Sequence, residues 1–114
     1  MTPGTRLDAW QLAERLFAEL HISAGTHFPV ALGIEVGKEE MIQPLREALA
    51  RADLKTAEII QKKWPFGRRW LVEAKSQPRP IIREEIELWL DSIEPTLRDL
   101  DAELITWVPL VPAA

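Results

Sequence analysis

Strict alternation of large apolar side chains between Phe28 and Val36, helical spacing between Ile82 and Leu100, and the order in which such segments follow one another predict an α+β domain. The expected architecture is a ferredoxin-like split βαβ sandwich preceded by an extra N-terminal helix. Phe28, Val30, Leu32, Ile34 and Val36 fall on one face of an extended segment, and Pro29, Ala31, Gly33 and Glu35 fall on the other. Ile82, Ile86, Trp89, Leu90, Ile93, Leu97 and Leu100 recur on one helical stripe. Along the chain the periods read helix, strand, helix, strand, strand, helix, strand. That order fixes a fold class and leaves function open, because function resides in sites and not in architecture.

The first helix is expected over 7–21, capped by Thr5 or Asp8, with Trp10, Ala13, Leu16, Phe17 and Leu20 as its apolar stripe. Ser23-Ala24-Gly25-Thr26 ends it, and the βαββαβ core occupies 28–110. The small face of the first strand, with Gly33 at its centre, either admits a ligand or another backbone closely or packs under the first helix. Packing is the favoured reading. Lys38 to Ala52 reads as a helix burying Met41, Ile42, Leu45, Ala48, Leu49 and Ala52. Pro44 implies a kink or a regular part that begins near Gln43.

Thr56 to Lys63 reads as a second strand and Trp70 to Lys75 as a third, paired antiparallel across the break at Trp64-Pro65-Phe66-Gly67. Gln77-Pro78-Arg79-Pro80 is a rigid connector to the long helix, where Pro95 implies a kink or a restart after Glu94. The last strand runs from Ala102 to Leu110, and Pro109 and Pro112 keep it at a sheet edge. Two interleaved right-handed βαβ units give the sheet order 4-1-3-2. The better apolar strands are then central, and the strands with lysines and prolines are edges. No repeat or long linker divides the 114 residues, so one domain covers 1–114.

Composition excludes several classes of function. There is no cysteine, so disulfides, thiol catalysis and thiolate metal sites are ruled out. No apolar run approaches the roughly 20 residues that span a bilayer, and no signal peptide is legible at Met1 to Arg6, so a cytoplasmic protein without membrane contact is expected. The net charge of −4 is the wrong sign for a nucleic-acid binder, whose affinity comes largely from displaced counterions.

No catalytic constellation is legible. His21 and His27 lack metal-pair spacing and are expected as solvated or capping residues, so no metal site and no cofactor are assigned. Ser23, Ser76 and Ser92 lack a nucleophile-elbow context. Glu84, Glu85, Glu87 and Asp91 share a polar helix face with Arg83 and read as solvated. No phosphate-binding loop or dinucleotide fingerprint is present.

The five tryptophans are the stronger signal. Trp10 and Trp89 lie on helical stripes and belong to the core. Trp70 and Trp107 reach the open side of the sheet if their faces point away from the helices, and are core if the N-terminal helix covers them. The turn from Trp64 to Arg69 places Trp64 and Phe66 among Lys62, Lys63, Arg68 and Arg69. Apolar anchors ringed by cations suit an interface with an acidic partner or a second copy of the chain. The candidate partner-binding residues are therefore Trp64, Phe66, Arg68, Arg69, Trp70 and Trp107.

The segment Trp70-Leu71-Val72-Glu73-Ala74-Lys75, a proline-containing break, a long amphipathic helix, then Asp101-Ala102-Glu103 and a strand carrying Trp107 resembles the regulator of ribonuclease activity B (RraB) family. The likeness is close over about a third of the chain, Trp70 to Val108, and rests on element order elsewhere. It implies a small acidic ferredoxin-like protein, and by analogy with the named member a non-enzymatic inhibitor of an RNA-processing endonuclease. No site residue is carried over.

A regulatory or protein-binding domain is thus the leading expectation, its partner a nuclease or, in an immunity setting, a secreted effector. The alternative is a small-ligand sensor or enzyme formed when two sheets pack together, with His27, Trp70 and Trp107 lining a pocket beside Gly33. Single-stranded RNA on the sheet face is weaker, because the basic-aromatic pattern it requires is missing.

Overall fold

The computed structural model describes residues 1–64 and 67–112, with the side chains of 62–68 outside that description. Helix α1 spans Pro3–Glu19 and starts earlier than the periodicity suggests. Its N-cap is Thr2, whose hydroxyl accepts the Thr5 amide, and Pro3 follows in the first turn, where its missing N–H costs nothing. Proline also divides the first strand. Pro29 separates β1 (His27–Phe28) from β2 (Val30–Val36).

A 3-10 turn at Glu39–Met41 precedes α2, Ile42–Arg51. Pro44 therefore falls in the first turn of α2, and no kink is needed. Strands β3 (Lys55–Trp64) and β4 (Gly67–Lys75) come next, then β5 (Arg79–Pro80), α3 (Arg83–Asp99) and β6 (Ala102–Pro109). Pro95 lies inside α3, which continues to Asp99 without a restart. Pro95 is exposed, and its missing N–H leaves the Asp91 carbonyl without its i→i−4 intrahelical donor.

Each helix ends on a left-handed residue that is not glycine: His21 (φ 54°), Asp53 (φ 60°) and Asp101 (φ 56°). Behind α1 the amide of Ile22 donates to the Phe17 carbonyl at 2.8 Å, and behind α2 that of Leu54 donates to Leu49 at 2.8 Å. Both are Schellman closures whose following apolar residue folds back toward the core. Aspartate tolerates this backbone better than most residues but less well than glycine. Asp53→Gly and Asp101→Gly should each raise stability by about 0.5–1 kcal/mol. Thermal unfolding checks this, and a loss of stability in both variants would mean that the carboxylates hold the caps.

Four strands form an antiparallel sheet in the order β3-β4-β2-β6, and β1 pairs with β5 in a separate two-stranded ribbon. Strand β2 is central, with β4 on one side and β6 on the other. Val30, Leu32, Ile34 and Val36 of β2 share one face with Val72 and Ala74 of β4 and with Leu104 and Trp107 of β6. These residues join Ala9, Ala13 and Phe17 of α1, Leu45 and Leu49 of α2, and Ile86, Leu90, Ile93 and Leu97 of α3 in a single buried cluster. All three helices consequently lie on the same side of the sheet. The expectation that α1 packs over the small-residue face is corrected: α1 meets the large-residue face, where Trp10 lies 6.3 Å from Trp107. The apolar area available to cover a helix is on that face, and burial decides the side.

An ionic cluster ties α1 to α3. Arg6 donates to Glu87 at 2.6 Å and to Glu94 at 2.9 Å, and its guanidinium pairs with Asp91 at 2.7 Å. Glu94 also accepts the α-ammonium of Met1 at 3.0 Å. Burial disfavours the charged guanidinium, but its hydrogen bonds with Glu87, Glu94 and Asp91 outweigh that and hold its pKa above the usual value.

Candidate functional site: the helix-free face of the sheet

With every helix on one side, the other side of the sheet is left bare by them. Register assigns its residues. Glu58 of β3 stands opposite Glu73 of β4, which stands opposite Gly33 of β2 and, beyond it, Thr106 of β6. In the neighbouring row Ile60 faces Leu71, Leu71 faces Glu35, and Glu35 faces Glu103. The face is thus a checkerboard, with one glutamate pair and one apolar or small pair in each row.

Like charges directly opposite each other destabilise a sheet, so two such pairs are a local cost. Arg69 relieves one of them, because its guanidinium pairs with Glu35. Glu58, Glu73 and Glu103 have no basic partner among the described residues. At one end of the face Lys55 stands opposite Lys75. Apolar exposure accompanies the charge: Ile60 is 43% exposed and Val108 46%.

Gly33 keeps the centre of the face low. A Cβ there would lie 2.9 Å from the Thr106 methyl, closer than real contacts allow. The cause is a bulge in β6, where pairing shifts between Gly33–Thr106 and Ile34–Leu104 and leaves Ile105 extra. That one residue inverts the alternation of the strand's second half. Trp107 is thereby turned inward.

The expected interface residues separate accordingly. Trp107 is 2% exposed and belongs to the core, which corrects its assignment to a partner surface. Trp70 stands opposite Val36 on the helix side and is half-buried, so it too is absent from the bare face. Arg69 is on that face and exposed. Phe66 lies outside the described residues, as do the side chains of Trp64 and Arg68; their backbones belong to β3 and β4.

His27 sits exposed on β1, away from the four-stranded sheet, so His27, Trp70 and Trp107 do not line one pocket. His21 is the left-handed residue closing α1. Among the described residues no three histidine, aspartate or glutamate side chains form a group able to hold a metal ion, and no helix is long and apolar enough to cross a membrane.

No family model, curated protein or solved structure matches this chain. Its chemistry is therefore read from the face itself. Sequence reasoning missed the four glutamates because they come from four strands, and only the register brings them together. The alternation of Glu58 with Ile60, and of Leu71 with Glu73, was the available signal.

Proposed function

We propose that this chain is a non-enzymatic regulatory domain that binds a protein through the helix-free face of its sheet. The observation that carries the reading is the combination on that face of exposed apolar residues, Ile60 and Val108, with Glu58, Glu73 and Glu103, which lack basic partners among the described residues. Apolar positions provide area to bury, and unneutralised carboxylates select a partner of opposite sign. Nucleic-acid enzymes present basic surfaces to their phosphate substrates, so a nuclease is the partner class that suits Glu58, Glu73 and Glu103 set beside these apolar positions. The resemblance to the regulator of ribonuclease activity B family favours the same partner.

The order of the four long strands supports a ferredoxin-like split βαβ assignment, with the strands at 30–36, 55–64, 67–75 and 102–109 taken as the first to the fourth. In that arrangement a bare sheet face is the natural place for a partner.

Affinity capture with the wild-type chain and with a Glu58→Lys/Glu73→Lys variant provides the test. The wild type should retain one protein at stoichiometric yield, and that protein should cleave RNA more slowly when the chain is added. The variant should retain its fold, because it exchanges one like-charge pair on the helix-free face for another and alters no residue of the core, and should lose the partner. Equal capture by both chains, or turnover of a small molecule by the chain itself, would remove the proposal.

A further inference from the structure

A second surface, independent of the sheet face, lies between α2 and α3. The helices diverge over a groove of about 290 Å³ with Ala48, Leu49, Ile93 and Leu97 among its lining. One end carries Arg79, whose guanidinium carbon lies 4.3 Å from the centroid of the Trp89 ring. The pairing of Arg79 with Phe28 holds its backbone in the short ribbon ahead of α3. We propose that this groove binds a small amphipathic carboxylate, its acid group on Arg79 and its apolar portion along the alanine and leucine floor.

Three observations carry the assignment. First, the chain is acidic overall, yet Arg79 has no carboxylate partner among the described residues. Second, a guanidinium over an indole keeps its N–H donors in its own plane, free to grip a carboxylate with two parallel hydrogen bonds while cation–π contact is retained. Lysine in that place would offer charge without the fork. Third, the volume fits a small ligand, since a cavity of about 150 Å³ already accommodates benzene. A chain of about eight carbons, or a bicyclic aromatic acid, matches the space and the low polarity of the floor. The hydroxyl of Ser92 is already committed to the Trp89 carbonyl at 2.6 Å, which leaves the fork of Arg79 as the acid-binding element.

The test follows backbone amide signals by NMR during titration with sodium octanoate below its micelle-forming concentration, with 1-octanol as the neutral control. Octanoate should produce saturable shifts at Ala48, Ala52, Ser92 and Thr96. Octanol should bind at least about tenfold more weakly, the loss expected when a charge-assisted contact is removed. Arg79→Met should weaken octanoate by a similar factor and leave octanol unchanged. Ala52→Phe alters an exposed residue at the rim and leaves the guanidinium in place; it should block both ligands, and it decides the question if Arg79→Met fails to fold. Equal affinity for acid and alcohol, shifts confined to the sheet face, undiminished binding to Ala52→Phe, or no saturable shift at all would each overturn the assignment.

Discussion

Truncation of Trp107 to alanine is expected to destabilise the fold by about 3–5 kcal/mol, the usual cost of deleting a buried tryptophan side chain. The ring is 2% exposed, stands opposite Leu32 across the β2–β6 ladder and packs 6.3 Å from Trp10. It therefore fastens the edge strand and α1 together, and its loss opens a cavity bounded by both. Against a total stability of about 5–15 kcal/mol, that is a large fraction. Trp107→Phe should be far milder, within about 1.5 kcal/mol. Part of the reason is that the indole N–H is buried with no hydrogen-bond partner among the described residues, so its removal relieves an unpaid desolvation. Urea unfolding at constant m-value measures both. An alanine variant as stable as the wild type would show that the ring stands outside the core.

Replacement of Arg6 by methionine should cost about 2 kcal/mol at neutral pH, less than for a fully buried network because water reaches part of it. Arg6 is 13% exposed and Glu94 19%, but Asp91 is 62%. The substitution leaves Glu87, Asp91 and Glu94 facing one another across successive turns of α3. Its pH dependence has a definite sign. Burial alone would raise the pKa of Glu94, but hydrogen bonds from the N-terminal ammonium and from Arg6 prevail and hold it below its ordinary value.

The unfolded chain thus takes up the proton more readily than the folded one. The contribution is complete above the ordinary carboxylate pKa, about 4.3, and is lost as pH falls through the depressed folded value. The stability gap between wild type and Arg6→Met should be constant from pH 7 to about 5.5 and should narrow below about pH 4. Denaturant titrations across that range provide the measurement. A gap that widens on acidification would mean that the carboxylates do not face Arg6.

Elements were legible where one physical period dominates. The alternation of Val30, Leu32, Ile34 and Val36 identified the central strand because both its neighbours bury the same face. The stripe Ile86, Trp89, Leu90, Ile93 and Leu97 likewise marked the inner side of α3. What escaped depends on single residues that break a period. The extra Ile105 turns Trp107 inward, and no rule of alternation announces a bulge. The left-handed ends at His21, Asp53 and Asp101 lacked the usual glycine, so the helix stops were placed by composition instead. Glu87 and Asp91 read as a solvated face because their partner, Arg6, is more than 80 residues away. Helical spacing had put them in line, but nothing local names the cation.

The central position of β2 bears on how the protein is made. Its two neighbours, β4 and β6, are both synthesised after it, and β6 begins only at Ala102. β4 can cover one edge of β2 once Lys75 has emerged, but a growing chain on the ribosome carries the other edge unpaired until β6 follows. Loop closure over such a span is slow and entropically costly. During that interval Val30, Leu32, Ile34 and Val36 lie on a hydrophobic strand with an open edge, an arrangement prone to pairing with another chain. Synthesis interrupted before Ala102 would therefore release a sticky fragment, whereas completion of eight more residues closes the sheet.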